Sequence, residues 1–394
     1  MRASAQGIRT FLRRGSAGLA LSCLAACMPT LDRATTDFTA PTAVWRSQQS
    51  NPHDVRMLVA TTRKLVGKTQ PGNELASETT YLNTSVSIPP DHRAGVIERP
   101  SITSESPKRH IVLGPQRVMD AETFRGTLAT ALSGRVGVSR DVLVFVHGFN
   151  TSYDEARYRL AQVVEDSGFT GVPVLFTWPS QRELFAYMSD KDSATASRDA
   201  LEKLMRDLAA TPGVGRVHVL AHSMGTWLAM EALRQNAIAG QADLGGRLGE
   251  VMLASPDIAM DVFKGQMARL GAVTRVSIFA ASNDRALSLS GALAGSRTRV
   301  GALDLNNEEH RNEIARLGVR VYDLSTLDGS SMLRHGNYAE APQVVTMIGA
   351  QLAEPKFEDR QASGFVDEEA VKAAKAPAPG QSPVTSETLP PPKN

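Results

Sequence analysis

Cysteine is nearly missing from this chain, with 2 in 394 residues, Cys23 and Cys27, both close to the amino terminus. A domain that begins beyond them has neither a disulfide nor a thiol nucleophile, so a hydrophobic core must stabilise it and other side chains must do its chemistry. No charge of one sign dominates either. The 43 basic and 41 acidic side chains leave a formal charge of +2, and Arg2, Arg9, Arg13 and Arg14 all sit in the leader. Without those four the acids are in slight excess, and nothing calls for a nucleic-acid partner. There is no Walker-type Gly-x-x-x-x-Gly-Lys-Ser/Thr loop and no Gly-x-Gly-x-x-Gly at a strand-to-helix turn, which argues against a bound nucleotide. Histidines and carboxylates show no ligand spacing such as His-Glu-x-x-His, so neither metal nor cofactor is expected. A hydrophobic content of 42% and a charged content of 21% are ordinary for a soluble globular protein. The length suits one large α/β domain with tails, or two smaller domains.

Long apolar runs are absent as well. The stretch Ala17 to Ala26 that follows the four arginines is too short to span a bilayer. It ends in Leu24-Ala25-Ala26-Cys27, which resembles the lipobox of bacterial lipoproteins. That resemblance implies cleavage before Cys27 and diacylation of its sulfur, with a second or third acyl chain making a stable anchor. The expected location is therefore the bacterial cell envelope, with the protein lipid-anchored and facing the periplasm. Met28 after the cysteine points, by the sorting habits of that family, toward the outer membrane. A plain secretory peptide with a coincidental cysteine is the alternative. Residues 1–26 are thus read as signal peptide, 27–52 as a tether, 53–354 as the folded domain, and 355–394 as a disordered Pro/Ala-rich tail.

Within the domain, β segments at Val55 to Thr62, Thr84 to Ile88 and His110 to Leu113 are expected to extend one antiparallel edge of a sheet. Asp120 is placed to cap a helix carrying Phe124, Leu128 and Leu132 on one face. An alternation follows. Val142 to Val146 reads Val-Leu-Val-Phe-Val, an unbroken apolar run suited to a central parallel strand. Strands at Val172 to Trp178, Arg216 to Ala221, Glu250 to Ala254, Val273 to Ala280 and Val319 to Leu324 succeed it. Helices are expected between several of them, with a closing helix from about Ala341 to Leu352. Strand and helix repeated with right-handed crossovers give a doubly wound, mostly parallel sheet of about eight strands. The stretch Pro179 to Ser197 is long for a plain connection and is read as a small cap.

The chain is organised around Val217 to Trp227. A short apolar strand meets a helix at Ala221-His222-Ser223-Met224-Gly225, which fits a nucleophile elbow with Ala in the first small position. Small residues two before and two after Ser223 let strand and helix backbones pass closely. A serine hydroxyl needs a base. In such an elbow fold the chain order is nucleophile, acid, histidine, and six of the eight histidines precede Ser223. His335 lies beyond the last strand, in Leu333-Arg334-His335-Gly336, and His310 is its rival. Asp284, after the strand ending at Ala280, and Asp257, after the strand ending at Ala254, compete as the acid that orients the histidine. The amides of Met224 and Phe149 are the expected oxyanion donors, the latter from the turn His147-Gly148-Phe149-Asn150.

Taken together, Val59-Ala60-Thr61-Thr62-Arg63, Phe145 through Ser152, Phe176-Thr177-Trp178-Pro179-Ser180, the Ser223 elbow and Asn283-Asp284-Arg285 resemble a bacterial esterase/lipase-like branch of the α/β-hydrolases. The resemblance implies Ser223, Asp284 and His335 as triad, and a serine hydrolase acting on small or lipid-like carboxylic esters. It leaves the substrate unassigned. A non-catalytic envelope lipoprotein, or an acyltransferase or peptidase with the same triad, stands as the alternative. If Cys27 carries the lipid, Cys27→Ser should abolish metabolic fatty-acid labelling and move the protein from membrane pellet to soluble fraction. Retained label would rule the anchor out.

Overall fold

The computed structural model describes residues 53–99, 107–271, 275–293, 297–327 and 337–353. The signal peptide, the tether, Cys27 and the tail fall outside the described residues.

The strands are β1 (Asp54–Val66), β2 (Gln70–Ser87), β3 (Val112–Leu113), β4 (Arg117–Met119), β5 (Val142–Val146), β6 (Val172–Thr177), β7 (Val217–His222), β8 (Leu248–Ala254), β9 (Arg275–Ala280) and β10 (Arg320–Asp323). They form one 10-stranded sheet in the order β10-β9-β8-β7-β5-β6-β1-β2-β3, with β4 beside β2. From β10 to β1 every neighbouring pair is parallel. Antiparallel pairing is confined to β2, which runs against β1, β3 and β4. The expected α/β class holds, with one correction. β1 is antiparallel to β2 as expected but is not an edge strand, because its other side lies parallel to β6, from Leu58 against Val174 to Thr61 against Thr177. Its residues Met57 to Arg63 are all buried, and the edge is sealed instead by β2, which is much longer than its apolar stretch suggested.

The helices are α1 (Ala121–Leu132), α2 (Tyr153–Ser167), α3 (Tyr187–Ala196), α4 (Arg198–Ala210), α5 (Met224–Ile238), α6 (Met260–Leu270), α7 (Arg285–Leu293), α8 (Glu308–Leu317), a single turn α9 (Asn337–Glu340), and α10 (Pro342–Ala353). Local chemistry explains their starts. The Asp120 side chain accepts from the Thr123 amide at 2.7 Å, as expected, and Ser152 accepts from Glu155 at 3.1 Å. The period-2 alternation of β5 sends Val142, Val144 and Val146 to one core, with Phe124, Leu204, Leu228 and Phe263. Leu143 and Phe145 go to the other, with Tyr153, Leu160, Val344 and Ile348. Helices therefore cover both faces. Helices α6, α7 and α8 were not foreseen.

One polar clamp holds the carboxyl-terminal segment in place. His92, in the loop after β2, reaches Glu98 at 2.9 Å and Asp166 of α2 at 2.7 Å. Asp166 also accepts from the Gly95 amide at 2.8 Å and from Gln162 at 2.6 Å, and Gln162 donates to the Ala339 carbonyl of α9 at 2.6 Å. Burial alone pulls the imidazole down, but hydrogen bonds to Asp166 and Glu98 outweigh it and raise His92 to about 9. A folded-state pKa above the unfolded value of about 6.5 stabilises fully below that value and fades as pH rises through the raised pKa. His92→Gln should therefore lower the melting temperature at pH 6, and the gap to wild type should close above pH of about 9. A gap independent of pH would count against an imidazolium clamp.

Candidate active site

Parallel strands bring their carboxyl ends to one edge, where an open α/β sheet offers its crevice. The loops there carry four non-glycine residues at positive φ: Asn150 after β5 (57°), Arg182 after β6 (62°), Ser223 after β7 (51°) and Ser255 after β8 (46°). Such conformations cost roughly 1–3 kcal/mol each and persist only where the surroundings impose them. At Ser223, with ψ −124°, the constraint is visible. Its amide donates to the Ala254 carbonyl at 2.9 Å, and its carbonyl accepts from the Thr226 amide at 3.0 Å and the Thr226 hydroxyl at 2.6 Å. The residue is 6% exposed.

Two glycines permit the approach of main chains around it. A Cβ on Gly225 would stand 2.3 Å from the His147 carbonyl, and one on Gly148 would stand 2.9 Å from the Ser223 Cβ. The turn after β5 is thus pressed against Ser223 itself. Met224 opens α5, where the first N–H groups have no intrahelical partner and the helix dipole favours negative charge. Phe149 is half-buried, its ring edge-on to Tyr187 at 5.5 Å. Both expected oxyanion donors stand on segments that flank Ser223.

His147 has a structural setting. It stacks on Trp178 with ring centroids 5.0 Å apart, and its Nε2 accepts from the Trp178 amide at 3.2 Å. A ring nitrogen that accepts from an N–H leaves the proton on Nδ1, which donates to the Gly148 carbonyl at 2.9 Å. Burial, with the nearby Arg63 charge, pushes the imidazole down to about 3, so it is neutral. Arg63 is itself fully buried.

The rival acids differ in their surroundings. Asp257 is engaged on both oxygens. Oδ2 accepts from the Tyr187 hydroxyl at 2.7 Å, and Oδ1 accepts from Ser290 at 2.7 Å and lies 3.2 Å from Arg299 Nε. It therefore ties α3, the body of the expected cap, to the floor beside Ser223. Asp284 ends the loop after β9, is fully buried, and accepts from the Leu287 amide at 3.0 Å. His335 lies outside the described residues. Three residues after it, Tyr338 stacks on His222, the neighbour of Ser223, at 4.8 Å. His310, in the first turn of α8, has its Nδ1 3.1 Å from the Asp304 amide and 3.2 Å from the Asp304 carbonyl. Trp178 and Tyr338 are core residues, whereas Phe185 on the cap is 84% exposed.

Arg63, Thr177 and Arg299 were given no role from sequence, and Tyr187 was read only as a candidate pocket-lining residue. Arg63 and Thr177 sit in segments with recognisable patterning, but 114 residues separate them, and only the fold brings them together.

Adding one methyl group tests the close approach of main chains. Gly225→Ala should lower stability by about 1–3 kcal/mol in thermal or urea unfolding, because its neighbours are backbone atoms. Gly148→Ala should spare stability more and reduce Ser223 reactivity instead. Unaltered stability and reactivity in both would contradict the packing described.

Residues 124–351 match the family model described as alpha/beta hydrolase of unknown function (DUF900). Among solved structures, the chain is similar to a predicted CIB-like hydrolase from Thermoplasma acidophilum, with 17% identity, 55% of this chain and 87% of that one covered, and a TM-score of 0.33. It is also similar to an esterase from Pyrobaculum calidifontis, with 15% identity, 60% and 93% covered, and a TM-score of 0.35. A third likeness is to carboxyl esterase 2 of the fungus Tuber melanosporum, with 12% identity, 78% and 89% covered, and a TM-score of 0.34. No curated protein matches the chain.

Proposed function

The chain belongs to the family of α/β hydrolases of unknown function, and from that premise we propose that it is a serine hydrolase cleaving carboxylic esters through an acyl-enzyme. The observation that carries the proposal is the strained backbone of Ser223 at the head of α5, with the Gly148 turn packed against its Cβ. Strain of that kind, on a central strand at the carboxyl edge, suits a hydroxyl held out toward a substrate.

In this reading Ser223 Oγ attacks the ester carbonyl while His335 Nε2 takes its proton. The amides of Phe149 and Met224 hold the oxyanion as it forms. His335 then returns the proton to the leaving alkoxide, and water repeats the sequence on the acyl-enzyme. Asp284 orients His335 and stabilises its imidazolium. Asp257 is the less suited acid, since Tyr187, Ser290 and Arg299 already occupy it. Support for His335 comes from chain length. A span of three residues reaches at most about 11 Å, and Tyr338 is docked on the neighbour of Ser223. Lipidation at Cys27 would hold this domain at the periplasmic face of an envelope membrane, on a tether of residues 27–52.

A fluorophosphonate probe should label the wild type, and Ser223→Ala should abolish labelling. On a panel of esters of graded acyl length, Asp284→Asn should lose about 10³–10⁴ in kcat, His335→Ala a similar factor, and Asp257→Asn far less. Absent labelling of folded wild type would instead favour a non-catalytic binding module. A larger loss in Asp257→Asn than in Asp284→Asn would exchange the two acids.

A further inference from the structure

Arg63 is a buried cation without a carboxylate within ion-pair distance among the described residues. Burial lowers its guanidinium to about 10, which still leaves it charged at neutral pH. A cation kept this way costs stability, so its partners matter. All of them are neutral oxygens. Nε donates to the Thr177 hydroxyl at 2.8 Å, Nη1 to the Gly72 carbonyl at 3.0 Å and Asn73 Oδ1 at 3.1 Å, and Nη2 to the Thr151 carbonyl at 2.8 Å. Nη2 also lies 3.5 Å from His147 Nε2.

These contacts have a direction. A guanidinium only donates, so the Thr177 hydroxyl accepts from Arg63 and must send its own proton onward. The hydroxyl lies 2.9 Å from His147 Nε2, which has no proton because the Trp178 amide also donates to it. His147 therefore donates from Nδ1 to the Gly148 carbonyl. In a trans peptide the C=O and the following N–H point opposite ways. Drawing the Gly148 carbonyl toward the imidazole turns the Phe149 N–H away from it. Meanwhile the second arm of Arg63 grips Thr151, at the far end of the same turn. The turn 147–151 is braced at both ends by one cation.

We propose that Arg63 is a positioning residue of the oxyanion site, acting through Thr177 and His147 on the Gly148–Phe149 peptide and through Thr151 on the end of the turn. This rests on the ester-hydrolase reading above. Its base is the β1–β2 hairpin. Gly72 and Asn73 anchor the guanidinium from behind, and the Asn73 carbonyl also accepts from Gln181 of the cap at 2.9 Å. The hairpin supports both the oxyanion turn and the start of the cap.

The test is a substitution series in the full chain. Thr177→Val cuts one arm with almost no change of volume, and Thr177→Ser restores it. Arg63→Lys keeps the charge but cannot hold all the partners. Expected for Thr177→Val and Arg63→Lys is a fall in kcat of about tenfold to a hundredfold, below the full cost of deleting an oxyanion donor. KM should stay within twofold. Affinity for an alkyl boronic acid, which forms a tetrahedral anion on serine, should fall by the same factor as kcat. Thr177→Ser should recover both, and the exposed neighbour variant Lys64→Gln should leave them unchanged. A brace that served stability alone would lower the melting temperature and leave the ratio of boronate affinity to KM untouched. That result, or kcat within twofold in both variants, would overturn the inference. If wild type neither hydrolyses esters nor takes the fluorophosphonate, the ester-hydrolase reading fails on its own account. The brace remains readable then from the Gly148 carbonyl ¹³C and Phe149 amide ¹⁵N shifts. These should move in Thr177→Val and return in Thr177→Ser, and shifts that do not move overturn the brace without reference to catalysis.

Discussion

Two stretches of main chain come closer together here than side chains would allow. The end of β5 and the start of α5 approach until Gly148 and Gly225 leave no room for a Cβ, and Ser223 is held in a left-handed conformation between them. A parallel sheet makes this possible. Consecutive crossovers place β5 and β7 side by side with both carboxyl ends at the same edge, in register from Val142 against Val217 to Val146 against Ala221. The strain at Ser223 is balanced by hydrogen bonds from β8 and the first turn of α5, so the conformation belongs to the fold rather than to the residue.

Around that contact the polar groups divide into separate tasks. Asp257 joins Arg299, Tyr187 and Ser290 and ties the cap helix to the sheet edge. His147, made neutral by burial, holds a carbonyl of the turn beside Ser223. Arg63, buried with no carboxylate within ion-pair distance among the described residues, donates to the Thr151 carbonyl at the end of that turn. His92, paired with two carboxylates, belongs to a clamp on the far face that ends at the Ala339 carbonyl. The clamp and the Tyr338–His222 stack together hold α9 against α2 and β7. Charge keeps His92 protonated and burial keeps His147 neutral, as their contacts need.

The Tyr187 bridge also bears on the cap. Phe149 meets Tyr187 edge-on, so the turn beside Ser223 and the first helical turn of the cap share one aromatic contact. Gln181 binds the β1–β2 hairpin from the other end of the cap segment. The cap segment is thus held at both ends, on Asp257 and on Asn73, beside the turn it touches.

By itself the sequence determined what depends on near neighbours. The apolar run Val142 to Val146, the cap at Asp120 and the small-residue spacing around Ser223 are local patterns, and each produced its element. The α/β class followed, because alternation of strand and helix leaves few ways to bury both faces. Only the tertiary structure decided what depends on distant pairs. That β1 lies parallel to β6 could not be read from β1, because inner and edge strands can share one apolar pattern and differ only in their partners. That Asp257 meets Arg299 while Asp284 caps α7 depends on the path of the chain between residues 257 and 299. Arg63 looked like any strand-end arginine until the fold carried Thr177, His147 and Thr151 to it. Its partners are set by the packing of three strands and not by its neighbours in sequence.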